Sequence, residues 1–230
     1  MESLSQELIN AIIDNVPLYD LRSCSLVAKR WQRRSQQHAF ESLLIKSEGE
    51  AKLWCKNIPQ ESDGGTSSFV RFVRIIYVFW WDEALLGRVL KGLTSLTTLY
   101  VSHTEIPDGL QDHILRGELG SKITTLEFFF PVCTHATMMS IILSLPNLKN
   151  LSLQGNRLTS EEPLSIHPVA SRSGPLDRLQ LGGDVNGVGE TLVKSRFVSR
   201  HLILDLPIPC TRQLIVLSAE TVVELELYGM

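Results

Sequence analysis

The sequence predicts an α/β chain in two parts: a short three-helix unit, then a right-handed solenoid with a curved parallel sheet. Three observations carry this expectation. Roughly one residue in six is leucine, well above the usual background. A short alternating core pattern recurs along the last two thirds of the chain at intervals of 23 to 28 residues. The first 45 residues instead place their apolar side chains at helical spacing.

Composition narrows the function classes. The chain has 230 residues, 43% of them hydrophobic and 20% charged, which is ordinary for a folded protein. Its net charge of -3 argues against a nucleic-acid binder, which normally carries a basic excess. The four cysteines, at 24, 55, 133 and 210, form no C-x-x-C pair, so neither a disulfide framework nor a zinc module is expected. The N-terminus lacks the basic and apolar regions of a leader, and the longest apolar run, Ile75 to Trp81, is far too short to span a bilayer. Cytoplasm or nucleus is the expected compartment, with reduced thiols and no membrane partner.

In the first part, Leu4, Leu8, Ile9, Ile12, Ile13 and Val16 follow helical spacing and predict an amphipathic helix from about Ser5 to Asn15. Ser5 is placed to cap it, and Glu7 lies near the positive end of the helix dipole. Pro17 ends it, because proline disfavours helix in the residue before it. A second helix should carry Leu18, Leu21, Cys24, Ser25 and Val27. A third should carry Trp31 and end near Phe40. So small a helical unit needs a partner or a neighbouring domain to be stable.

These residues carry a family resemblance. The run Leu4-Ser5-Gln6-Glu7-Leu8-Ile9, then Ile12-Ile13, then Val16-Pro17-Leu18-Tyr19-Asp20-Leu21, then Cys24-Ser25-Leu26-Val27-Ala28-Lys29-Arg30-Trp31, resembles an F-box. The family pattern is L-P-x-E-L, a paired aliphatic, L-P-x-x-D-L, then C-S-L-V-x-(K/R)-x-W. The one clear departure is Ser5, where the family has a proline that begins the helix and joins the adaptor contact. The resemblance implies docking onto the Skp-family adaptor of a cullin-RING ubiquitin ligase. Carried over by position, Leu4, Glu7, Leu8 and Ile12 would meet the adaptor, and Leu26, Val27 and Trp31 would fill the junction between the second and third helices. Ile9, Ile13 and Leu21 read as core. The basic cluster Lys29, Arg30, Arg33 and Arg34 reads as a solvated helix face.

Residues 46–69 read as a linker with a short helix near Glu48–Cys55 and an exposed stretch around Gly64-Gly65. The domains expected are thus a helical unit at 1–45, this linker, and repeats at 70–230.

Leu148-x-x-Leu151-x-Leu153-x-x-Asn156-x-Leu158 matches the leucine-rich-repeat pattern without a miss. Looser copies begin at Leu96, Ile123, Leu176 and Val222, and weaker ones lie at Val73-x-x-Ile76-x-Val78 and Leu202-x-Leu204. The second core position then falls at 76, 99, 126, 151, 179, 202 and 225, giving about seven repeats. Each L-x-L is a short strand with inward leucines, and stacked copies form the parallel sheet. Amphipathic return segments are expected at Asp82–Leu93, Thr134–Leu145 and Cys210–Ala219. Nothing polar is left to cap the last strand, so its edge is expected to be bare.

The outward strand positions are the candidate target-binding surface: Tyr77, Tyr100, Glu127, Phe129, Gln154, Arg178, Gln180, His201 and Glu226, with aromatics in the early repeats and acids in the last. No catalytic, metal-binding or cofactor motif was found. Cys133-Thr134-His135 puts a thiol near an imidazole, but without the orienting third group that such catalysis needs. The whole resembles fungal-type F-box proteins with leucine-rich repeats. That resemblance implies a non-catalytic substrate receptor of an SCF-type ligase, binding an unknown target protein. The alternative is a repeat scaffold acting outside any ligase.

Overall fold

The computed structural model describes residues 4–57, 69–76, 82–106, 110, 119–155, 157–158, 174–183, 185–206 and 210–229. Three helices come first: α1 (Gln6–Asp14), α2 (Leu21–Val27) and α3 (Lys29–Ala39). Strands and helices then alternate: β1 (Ser42–Ile45), α4 (Glu48–Asn57), β2 (Phe72–Ile76), α5 (Glu83–Lys91), β3 (Thr98–Ser102), α6 (Leu119–Lys122), β4 (Thr125–Phe129). They continue with β5 (Val132–Cys133), α7 (His135–Leu143), β6 (Asn150–Gln154), β7 (Arg157–Leu158), β8 (Leu176–Gly182), α8 (Asn186–Lys194), β9 (Ser199–Leu206), α9 (Thr211–Ser218) and β10 (Glu224–Gly229). The three predicted return segments are helices α5, α7 and α9.

Eight strands form one parallel sheet in chain order, β1-β2-β3-β4-β6-β8-β9-β10, and β5 pairs with β7 in a second, two-stranded sheet. Parallel neighbours need a crossover between them, and the helices supply it. The strand alternation sends one column through Leu43, Val73, Leu99, Leu126, Leu151, Leu179, Leu202 and Leu225, and a second through Ile45, Ile75, Val101, Phe128, Leu153, Leu181, Leu204 and Leu227. From Val73 to Leu204 both columns are buried, in one core with Leu85 and Val89 of α5, Met138 and Ile142 of α7, Leu192 of α8 and Leu214 of α9. On β10, Leu225 and Leu227 are 42% and 50% exposed.

The start of each early strand repeats one backbone device. The carbonyl of Glu41 accepts the amides of Arg71 and Phe72; those of Arg71, Thr97, Thr124 and Lys149 each accept two amides from the next strand's start in the same way. The strand ends repeat another. His103, Phe130, Gly155 and Gly183 directly follow β3, β4, β6 and β8, and all have positive φ, 47, 49, 58 and 69°. The amides of His103, Phe130 and Gly155 donate to Phe129, Gln154 and Gly182 at 2.9, 2.8 and 2.9 Å. The His103 ring stacks on Phe130, centroids 5.2 Å apart, and the Phe130 ring lies over Gly155.

Three sequence expectations change here. The first repeat is displaced: Val73, not Ile76, aligns with Leu99, so the first spacing is 26 residues and Arg74, rather than Tyr77, aligns with Tyr100. Val73 and Ile75 alternate as well as Ile76 and Val78, so the pattern alone admitted both registers. Tyr77 itself lies outside the described residues, as do Asn156 and the stretch around Gly64-Gly65. Residues 42–45, assigned to the helical unit, are instead the first strand of the sheet, paired with β2. Part of the expected linker also belongs to the core, because Ala51 of α4 is fully buried there and Trp54 and Cys55 pack against it.

The helical unit has its own small core of Ile9, Ile13 and Leu21, with Val16, Trp31 and Ala39 packed against it. Asp14 and Arg34 join α1 to α3 in a two-pronged ion pair, with Nε–Oδ1 and Nη2–Oδ2 both at 2.7 Å. That bond holds the Asp14 carboxyl below its usual range. Both side chains are about two fifths exposed, so Arg34→Ala is expected to cost only about 1 kcal/mol or less, measured by urea denaturation.

His135, on α7, is a buried core residue whose Nε2 faces the Thr191 hydroxyl of α8 at 3.2 Å. Gly187, one turn earlier on α8, leaves room for the ring: a Cβ there would stand 3.4 Å from His135 Cε1. Burial pushes the imidazole below its ordinary value of 6.5. The unfolded chain therefore binds the proton first as pH falls. Stability from this residue is complete above about 6.5 and declines below it, levelling off under the folded-state value. Denaturation midpoints between pH 7.5 and 5 should show this loss, and His135→Gln should flatten it.

Candidate docking surfaces

Helix α1 has two apolar faces. Ile9 and Ile13 point into the small core, while Leu8 and Ile12, one turn apart, are exposed, as is Leu4 just before the helix. Leu8 is 48% exposed. Ser5 starts the helix from extended backbone, φ -66° and ψ 155°, and its hydroxyl accepts the Leu8 amide at 3.3 Å. Serine thus does the work of beginning the helix where the motif has proline. Glu7 is exposed, and its own backbone amide, then the Ser5 hydroxyl, hold its carboxyl below the usual range.

The basic cluster on α3 partly turns inward, onto α1. Arg30 Nη2 donates to the Leu4 carbonyl at 2.9 Å and its Nε to Gln6 Oε1 at 3.4 Å, while Gln6 Nε2 donates to the Arg30 carbonyl at 3.2 Å. Arg30 therefore fixes the first turn of α1, a role that helical spacing alone did not reveal.

Leu26 and Val27 do not fill a junction within the chain. They are 81% and 65% exposed at the end of α2. The extended Ala28 separates α2 from α3 and leaves both side chains on the outside. Trp31 is half-buried against the Ile9, Ile13 and Leu21 core. Leu18, expected on the second helix, lies before α2 instead, and it and Tyr19, neither chosen as a docking residue, are also exposed beside Pro17. Their signal was available: two large apolar side chains in a proline turn have no helical face on which to hide.

The second surface is the outward face of the sheet. One row across it runs Leu44, Arg74, Tyr100, Glu127, Ser152, Gln180, Ile203 and Glu226. A neighbouring row runs Ser42, Phe72, Thr98, Thr125, Asn150, Arg178, His201 and Glu224. Phe129 and Gln154 align on the other side, at the strand ends. Of the chosen residues, Tyr100, Glu127, Phe129, Gln154, Arg178, Gln180, His201 and Glu226 all fall on this face. Leu44, Phe72 and Arg74 were missed because the first register was displaced and β1 was unforeseen; Ile203 was missed although its strand, β9, was foreseen.

Polar contacts organise the two ends differently. The Arg74 guanidinium stands 5.1 Å from the Tyr100 ring centroid. At the far end, His201 Nε2–H donates to Glu226 Oε1 at 2.7 Å, and its Nδ1 lies 3.6 Å from Glu224. The Tyr228 hydroxyl donates to the other Glu226 oxygen. Tyr228 first, then His201, hold the Glu226 carboxyl below its usual range, so it is an anion at neutral pH. Among the described residues, His201, Glu224 and Glu226 are the group whose possible ligand atoms come together, within 4.8 Å. Both ring nitrogens already face carboxylates, which makes the cluster a cross-strand clasp between β9 and β10.

Cys133 and His135 lie at the start of α7, Cys133 on β5 and His135 at the first helical position. Both are buried, and the imidazole is directed to Thr191. No helix among the described residues is long and apolar enough to cross a membrane.

A small helical module with an outward apolar stripe, followed by a parallel sheet with a polar and aromatic face, defines a protein of the interaction class. Residues 1–42 match the F-box domain family. F-box domains bind Skp-type adaptors in ubiquitin-ligase complexes, and proteins that carry them are generally non-catalytic substrate adaptors. No curated protein matches the chain.

Proposed function

We propose that this protein is the substrate receptor of an SCF-type cullin-RING ligase. Its F-box docks on a Skp-family adaptor through Leu4, Glu7, Leu8, Ile12, Leu26 and Val27, with Trp31 supporting them from the core. The sheet unit is a leucine-rich-repeat-like solenoid whose outward face, from Leu44 to Glu226, holds a target protein. The role is tethering: a held target sees a high effective concentration of the ubiquitin-loaded enzyme. The site of action is the cytoplasm or nucleus.

The observation that carries this reading is the exposed stripe of Leu8 and Ile12 on a helix whose opposite face is already buried, continued by Leu4 just before it. A helix gains nothing within its own fold from a second apolar face, and such a face marks a partner. The test is co-purification of the chain with a Skp-family adaptor that binds a known F-box. A stable complex is expected, and no association under those conditions refutes the reading.

A further inference from the structure

The outward face of the sheet is asymmetric. Its first strands carry Leu44, 42% exposed, and Phe72, 41% exposed, beside the half-exposed Tyr100. These are apolar side chains on the side of the sheet away from the core, with nothing among the described residues covering them. Arg74 stands among them. On this face the last three strands carry the carboxylates of Asp205, Glu224 and Glu226, against the guanidinium of Arg178, which donates to Gln180. Asp205 and Glu224 are exposed. Between the two ends lie the uncharged Thr98, Thr125, Ser152 and Gln180, together with the carboxylate of Glu127 on β4.

We propose that this face takes an extended polypeptide segment with apolar side chains at one end and lysine or arginine at the other. The apolar end rests on Leu44, Phe72 and Tyr100, and the basic end on Asp205, Glu224 and Glu226. Charge fixes both the occupant and its direction. Arg74 repels a cation at the first strands, and the three carboxylates attract one at the last. Six strand-to-strand steps separate β2 from β10. At about 4.8 Å each this is about 29 Å, which an extended chain crosses in about nine residues. The inference rests on the reading of this face as the target surface and adds the chemistry of the target segment.

The experiment is selection from a random 16-residue peptide display library on the full chain, followed by titration of a selected synthetic peptide by fluorescence polarisation. Enriched peptides should hold basic residues about nine positions from an apolar pair. Glu224→Lys and Leu44→Asp should each weaken binding about tenfold or more, and so should raising salt from about 0.1 to 0.5 M. Circular dichroism checks that each variant is folded, and Phe72→Ser replaces Leu44→Asp if β1 does not tolerate a charge. Recovery of no peptide, absence of a basic preference, or an undiminished affinity in folded Glu224→Lys overturns the proposal. Adaptor co-purification is scored separately. Peptide binding without adaptor binding removes the ligase role and leaves the recognition chemistry standing; the converse removes only the recognition chemistry.

Discussion

Leu8→Asp is expected to abolish capture by a Skp-family adaptor while leaving the fold intact. Leu8 sits at the middle of the exposed stripe on α1, about half open to solvent. In the free chain its replacement uncovers no core atom, because Ile9 and Ile13 fill the buried face. In the complex, an aspartate would bring an unpaired charge into an apolar contact. The loss should be about 2 kcal/mol or more, roughly thirtyfold in Kd, as for a central anchor residue. Calorimetric titration gives the affinity, and a thermal melt checks that stability is unchanged within about 0.5 kcal/mol. Ile13→Asp is the contrast: it places the charge in the small core, and both folding of the helical unit and binding should fail together. If Leu8→Asp binds as well as the wild type, the stripe is not the docking surface.

Gly155→Ala is expected to be among the most destabilising single-methyl additions in the chain. Gly155 ends β6 with φ +58°, where an L side chain is strained. That backbone alone costs about 1–2 kcal/mol. A Cβ would also stand no more than 2.5 Å from the Phe130 ring carbons, which cannot retreat while stacked between His103 and Gly155. Overpacking of this kind adds about 1–3 kcal/mol. The total, about 2–5 kcal/mol, should be read by urea denaturation. The Phe130→Ala background separates the two causes. There the ring is gone, and Gly155→Ala should cost only the backbone part. An equal cost in both backgrounds would show that the ring is not the obstacle.

Both predictions depend on residues whose place could be read only in part from the chain. The helical unit was legible because its apolar spacing is local. Ile9, Ile13 and Leu21 as core, Ser5 as the cap, and the ends of α1 and α3 follow from a few neighbouring residues. Leu26 and Val27 were not legible in the same way. Apolar residues at a helix end are consistent with burial, and only the course of the chain at Ala28 decides that they are outside. The Arg30 bond to the Leu4 carbonyl joins residues 26 apart, a contact that no local pattern encodes.

The outward sheet face divides along the same line. The later positions chosen, from Tyr100 to Glu226, fall on this face because each strand alternates strictly and side chains on a strand have period two; Ile203 was passed over. The repeat at β2 was not read correctly, since several alternating apolar pairs compete there and pairing with β3 selects one of them. β1 carries only Leu43 and Ile45 as a signal, too short to stand out before β2 is beside it.

The sequence by itself determined the F-box motif, the parallel order of the later strands and the helices that return between them. These are encoded by residue type and interval, and they hold wherever the chain goes. Tertiary structure alone decided the register of the first repeat, the joining of residues 42–57 to the sheet core, the clasp of α1 by Arg30, and the ring of Phe130 over Gly155. Each of these depends on which distant segments meet, and that is settled by the packing of the whole core.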